Sequence, residues 1–202
     1  GWEIDNVASV GYNDEGGYAY ALYDAENDVV GDVNYNSPSG YMRLNVSDGL
    51  NISYTGDKYK FTSTTSYQYM SDKMRMDNDL TPASIFTLVQ QQREHAVTQD
   101  FVLRTNDSSR RWQWVTGAYG FYKSIDMSAP VDILSDGISG LILGNMPDML
   151  KNLIKFDRDA LRVDSNFDIP TYGLALYHES SLTAGERWRF TAGLRLDYEA
   201  SK

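Results

Sequence analysis

The stretch RWRFTAGLRLDYE, residues 187–199, alternates with a strict period of two. Trp188, Phe190, Ala192, Leu194, Leu196 and Tyr198 fall on one side, and Arg187, Arg189, Thr191, Gly193, Arg195, Asp197 and Glu199 on the other. Successive side chains of a strand point to opposite faces, so this segment is a β-strand with one apolar and one charged face. A helix would scatter both sets around its circumference.

Turn signals divide the rest of the chain into about eight strands. They are expected at 2–12, 17–24 (GYAYALYD), 41–54, 59–70, 95–105, 111–123, 169–182 and 187–199. In the fourth, Tyr59, Phe61, Tyr67 and Tyr69 share a face opposite Lys60, Thr62, Thr64, Ser66 and Gln68. Short turns at 13–16, 55–58, 106–110 and 183–186 alternate with long polar connections at 24–40, 72–94 and 124–168. Transmembrane β-barrels show this alternation, with short periplasmic turns and long outer loops. Polar faces rich in Thr, Ser, Gln and Arg suit a wet lumen. The alternative is a soluble β-sandwich or barrel that binds an apolar or carbohydrate ligand, with the aromatic faces as its inner walls.

The long connections carry local patterns. Met146, Met149, Leu150, Leu153 and Ile154 form one stripe of a short helix, with Pro147 near its start. That helix packs on its own neighbours or serves as a mobile lid. Residues 81–91 hold either another helical turn, opened by Thr81 and Pro82, or an extended loop edge.

A formal net charge of −10 argues against a nucleic-acid surface, and no cysteine is present to form a disulfide or a thiolate metal site. No apolar run is long enough for a transmembrane helix, a test that a β-barrel escapes. No catalytic signature emerges, and the chain is not expected to be an enzyme. GISG, residues 137–140, falls short of a nucleophile elbow. His95 and His178 lie 178 − 95 = 83 positions apart and read as ordinary surface or lumen histidines. Asp24, Glu26, Asp28 and Asp32 invite a calcium reading, but Gly31 comes too late for an EF-hand loop, and a solvated acidic loop accounts for them. Asp72, Asp77 and Asp79, with Lys73 and Arg75, read as loop charges. No metal ligand, cofactor or cofactor-binding residue is nominated.

Residues 59–105 resemble the mid-barrel region of TonB-dependent outer-membrane receptors. The resemblance rests on Phe61-Thr62-Ser63 with Tyr67, then Asp77 and Asp79, then Gln90 to Gln92, and then Thr98-Gln99-Asp100-Phe101-Val102-Leu103-Arg104. WQWVTGAYGFYK (112–123) is similar to the family's strand of the form W-x-W-L-x-G-x-Y-Y-F, and RFTAGLRLDYE (189–199) to its L-T-x-G-L-R-Y-D-x-E strand.

The resemblance implies an all-β, antiparallel transmembrane β-barrel segment in the bacterial outer membrane. Residues 1–202 are expected to form part of the barrel, with no plug domain and with both ends on the outer side. The implied activity is uptake of a scarce solute: siderophore-bound iron, cobalamin or an oligosaccharide. Implied partners are that cargo, outer-membrane lipid, and a periplasmic energy-coupling protein that acts through the plug. Arg104, Arg189 and Arg195 are expected on the lumen side, and the three long loops are expected to meet the cargo.

Overall fold

The computed structural model describes residues 1–107, 109–151 and 159–202. In chain order the strands are β1 (Trp2–Glu15), β2 (Tyr23–Asp24), β3 (Val29–Val30), β4 (Gly40–Thr55), β5 (Tyr59–Asp77), β6 (Phe86–Thr105), β7 (Trp112–Ser128), β8 (Val131–Leu134), β9 (Ala160–Val163), β10 (Asn166–Ala184) and β11 (Trp188–Ser201). Nine of them make one antiparallel sheet, seven in the order β1-β4-β5-β6-β7-β10-β11 and β8 and β9 off this path. Each long strand pairs with its neighbour in sequence along this path, as the up-and-down reading requires. The fold is all-β and barrel-like.

Two expectations at the first connection are corrected. β1 runs on through Glu15, where a turn is expected at 13–16, and its register with β4 is unbroken from Trp2↔Tyr54 to Glu15↔Tyr41. That pairing occupies the edge on which GYAYALYD was expected to lie. Only Tyr23–Asp24 of that segment is extended, in a small hairpin with Val29–Val30. Tyr18 and Tyr20 alternate correctly, but they face each other at 6.3 Å in a loop. Alternation alone does not make a strand when the ladder it needs is already filled.

Losing one strand inverts the end-to-end geometry. Gly1 lies at the short-turn end, bonded to Thr55, and Lys202 lies at the opposite end, its N–H bonded to Pro170 at 3.2 Å. The two ends are therefore on opposite sides of the sheet, where the sequence placed both together. The connections still alternate between long, at 16–39, 78–85 and 129–165, and short, at 56–58, 106–111 and 185–187.

The middle connection is far shorter than expected, because β5 continues to Asp77 and β6 begins at Phe86. Residues 81–85 form a turn and no helix. The 20 residues of β6 reach roughly 65 Å at about 3.3 Å each, well beyond the length of one bilayer crossing. The third connection carries the sheet further, as β8 pairs with both β6 and β9 beyond the end of β7. It also contains a π-helical stretch, Ile138–Leu143, and a single helical turn, Asp148–Lys151. Met149 and Leu150 are exposed in that turn, and Leu153 and Ile154 lie outside the described residues.

The three long connections are tied together at the β5–β6 tip. Asp77 is 1% exposed, and its Oδ2 accepts the backbone N–H groups of Asn36 (3.0 Å) and Ser37 (2.9 Å). The Asn36 amide donates to the Pro82 carbonyl (2.8 Å) and to the Ser84 hydroxyl (3.0 Å). From the third connection, Asp136 accepts the Ser84 N–H at 2.8 Å, and the Leu134 N–H donates to the Ile85 carbonyl. Within the tip, Asp79 accepts from the Thr81 hydroxyl and from the Phe86 N–H. Burial pushes the Asp79 carboxyl up, but the Thr81 hydroxyl and the Phe86, Thr81 and Ile85 N–H groups outweigh it and hold the group below the usual carboxylate value.

Two outcomes follow from this clasp. Asp77→Ala strands two N–H groups, a loss of about 1–3 kcal/mol, and proteolysis of the 16–39 connection is expected to accelerate while the sheet stays intact. A carboxyl lowered by folding contributes stability above its unfolded pKa and loses it as pH falls through the folded value. The tip is therefore expected to loosen only below about pH 4. Hydrogen exchange at Thr81 and Phe86 reads this, and Asp79→Asn removes the pH dependence.

Candidate functional site: the two faces of the sheet

Because the register runs without slip across the seven strands, each face can be followed strand to strand. The polar face holds Arg189, Thr191, Arg195, Asp197 and Glu199 of β11, opposite Thr183, Ser181, Tyr177, Ala175 and Gly173 of β10. It continues through Gln113 and Lys123 of β7 to Arg104, Asp100 and Glu94 of β6. Arg104, Arg189 and Arg195 thus share the polar face, as the sequence reading requires. Arg195 makes a two-pronged pair with Asp197 and stands 5.8 Å from the Tyr177 ring. Lys123 meets Glu94 at 3.0 Å, and Arg189 donates to Gln113 at 3.2 Å. Nearer the long connections, the Tyr41 hydroxyl and the Arg43 guanidinium both meet Asp72.

Glycines set the packing of this wall. Tyr177 lies over Gly117, and its hydroxyl crosses β7 to donate to Asp100 on β6 at 3.2 Å. A Cβ at Gly117 would sit 2.2 Å from that ring and 2.8 Å from the Phe101 carbonyl. Phe121 covers Gly173 in the same way, with 2.4 Å left for a Cβ. The small residues of WQWVTGAYGFYK thus place aromatic rings across neighbouring strands.

The opposite face is apolar and open. Leu174, Leu176, Leu194 and Leu196 are each more than 60% exposed, far above what a water-facing surface of this regularity carries. Two aromatic bands bound this surface. One lies near the short turns and contains Trp2, Tyr54, Tyr59, Phe61, Trp112, Trp114, Trp188 and Phe190; Trp2–Tyr54 centroids are 4.9 Å apart and Tyr59–Trp114 5.9 Å. The other contains Tyr12, Tyr67, Tyr69, Tyr122, Tyr172 and Tyr198, joined by His95, whose ring nitrogen meets the Tyr67 hydroxyl at 2.9 Å. Trp188 to Tyr198 is ten positions and Tyr59 to Tyr67 is eight, so the bands stand roughly 26–33 Å apart along the strands. Tilted strands of nine to eleven residues cross a bilayer core.

Polar groups inside this apolar zone are paired. Thr65 donates to Gln99 at 2.6 Å, and Gln99 donates to Ser63 at 3.0 Å and to the Thr64 carbonyl. Asn6 donates to Asp48, and His178 meets Ser180. Both histidines therefore lie on the apolar face, on different strands, with no shared partner. Among the described residues no cluster of His, Asp or Glu is arranged to hold a metal ion. In the acidic 24–32 stretch, the Asp24 carboxylate accepts from the Asn27 side chain and from two turn N–H groups, and the first of these does most to lower its pKa. That carboxylate is spent on its own turn.

Gly117→Ala is expected to displace Tyr177, break its bond to Asp100 and destabilise the wall by about 1–3 kcal/mol. Adding Tyr177→Ala restores only part of the loss, since the Phe101 carbonyl still crowds the new Cβ. The heat-induced change in gel mobility of the single and double variants measures this coupling.

No protein-family model matches the chain, and no curated protein matches it. Among solved structures, it is similar to the crystal structure of the ferric yersiniabactin uptake receptor FyuA from Yersinia pestis, with a TM-score of 0.70 over 99% of this chain. Sequence identity is 16%, and the chain spans 27% of that receptor's chain. At this identity the likeness shows the fold: the seven-stranded sheet matches a stretch of a β-barrel receptor.

Proposed function

We propose that these residues form part of the wall and outer loops of a bacterial outer-membrane transporter of the TonB-dependent kind. One observation carries this reading: an apolar face bounded by two aromatic bands at bilayer spacing, set back to back with a charged face. Lipid accepts the first surface and a water-filled or plugged lumen the second. The short connections then lie in the periplasm and the long ones outside. The fold likeness to an uptake receptor supports the same reading.

Uptake of a scarce solute follows for the parent barrel. A ferric chelate is the first candidate, since the similar receptor is named for one, with cobalamin and oligosaccharides behind it. The clasped connections around Asp77, Asn36 and Asp136 stand where cargo would first be met. Energy would come from a periplasmic partner acting on a plug, and we assign the wall residues no catalytic role.

Uptake of labelled ferric chelates, cobalamin and oligosaccharides by cells with and without the gene tests the proposal. One of these is expected to depend on the gene and to stop when a protonophore collapses the inner-membrane gradient. Gene-dependent uptake that survives the protonophore would instead make the protein a passive channel.

A further inference from the structure

Near the short turns the polar face turns cationic. Lys60 of β5 and Arg104 of β6 stand directly opposite each other there, an arrangement in which like charges repel at close range. Arg189 of β11 joins them from the far side, its guanidinium reaching the Gln113 side chain at 3.2 Å. Arg104 and Arg189 are exposed and Lys60 is half-buried, in a chain of net charge −10. The ion pairs among the described residues engage other cations, Arg43, Arg110, Lys123, Lys151, Arg162 and Arg195, and leave these three without a carboxylate. Arg111 and Arg187, in the neighbouring short connections, stand outside those pairs as well. Arg104 and Arg189 both line a cavity of about 180 Å³, together with Gln113, Glu179 and Ser181. Val115 lies opposite both Arg104 and Glu179, so Lys60, Arg104 and Glu179 share one row across β5, β6, β7 and β10.

We propose that this cavity binds the phosphate or carboxylate group of a small hydroxylated solute, at the short-turn end of the lumen. The inference rests on the reading that the polar face lines a lumen. Two guanidiniums on one cavity offer planar forks that match the paired oxygens of either anion, and Lys60 adds a point charge beside them. A bound anion relieves the repulsion between Lys60 and Arg104 that the wall itself leaves uncompensated.

Glu179 narrows the ligand class. A bare anion is repelled by this carboxylate, whereas a hydroxyl on the same solute donates to it while the anionic group meets Arg104 and Arg189. The Ser181 hydroxyl and the Gln113 amide add neutral groups of the kind that hold a polar solute in one orientation. With the short connections on the periplasmic side, a solute entering from outside meets these cations last. Their field then favours anions at the inner end of the lumen.

The test titrates the full-length protein in detergent with inorganic phosphate, glycerol phosphate and glycerol, by calorimetry, after gel mobility has confirmed the heat-modifiable fold of each variant. The wild type is expected to bind glycerol phosphate more tightly than inorganic phosphate and glycerol not at all. R104Q/R189Q should weaken both phosphates by about tenfold or more, and R104K/R189K by less, because charge remains without the fork. Glu179→Gln should tighten inorganic phosphate and erase the preference for glycerol phosphate. A wild type that binds neither phosphate overturns the proposal, since carboxylates elsewhere in the full-length protein then satisfy the cations. Unchanged binding in a folded R104Q/R189Q variant, or equal affinity for the two phosphates in the wild type, overturns it too. Anion binding that follows these variants, in a protein whose gene supports no uptake, upholds this site and overturns the transporter reading instead.

Discussion

The hydrogen-bonded ladder between adjacent strands is the constraint on which the rest of this structure depends. In hydrocarbon no water satisfies a free N–H or C=O, so every backbone group at membrane depth must find a partner on a neighbouring strand. Here the ladder runs in continuous register from β1 to β11. Because side chains alternate along each strand, unbroken register puts the leucines of β10 and β11 on one surface and Arg104, Arg189 and Arg195 on the other. A slip of one residue in any pair would put Arg189 and Arg195 among the leucines. The aromatic bands, the polar wall and the Tyr177–Asp100 contact all presuppose that alignment.

The two surfaces solve different problems. The apolar one needs no internal partners, and its few polar groups, such as Gln99 with Thr65 and Ser63, are paired among themselves. The polar one is a lattice of short-range pairs between neighbouring strands, Lys123 with Glu94 and Arg189 with Gln113 among them. Pairs of this kind are worth little each in water, but they fix which rings and charges face the interior. Beyond the aromatic bands the strands continue, and the sheet becomes a platform to which Asp77 fastens the first connection and Ser84 the third.

Most of the strands, their face polarity and three of the four short turns were legible in the sequence because they rest on local alternation and turn chemistry. So was the placement of Arg104, Arg189 and Arg195. Strand ends were harder: residues 72–77 and 86–94 carry mixed charges that read as loop, yet they pair because the neighbouring strand extends with them. GYAYALYD misled for the opposite reason: it alternates well, but the β4 edge it was expected to join is taken by β1. The aromatic bands needed the register, since residues as far apart in sequence as Trp2 and Tyr54 become neighbours only when β1 lies on β4. The Asp77 clasp left no trace at all, because it joins side chains to backbone across 40 positions or more.

The absence of native cysteine makes the central claim directly measurable. Single cysteines placed in turn at residues 194 to 197 of the reconstituted protein, each carrying a spin label, report access to oxygen in the bilayer and to a polar nickel reagent in water. The account predicts a period of two, with labels at Leu194 and Leu196 meeting oxygen and labels at Arg195 and Asp197 meeting nickel. Labels at all four positions that meet the nickel reagent equally would contradict it.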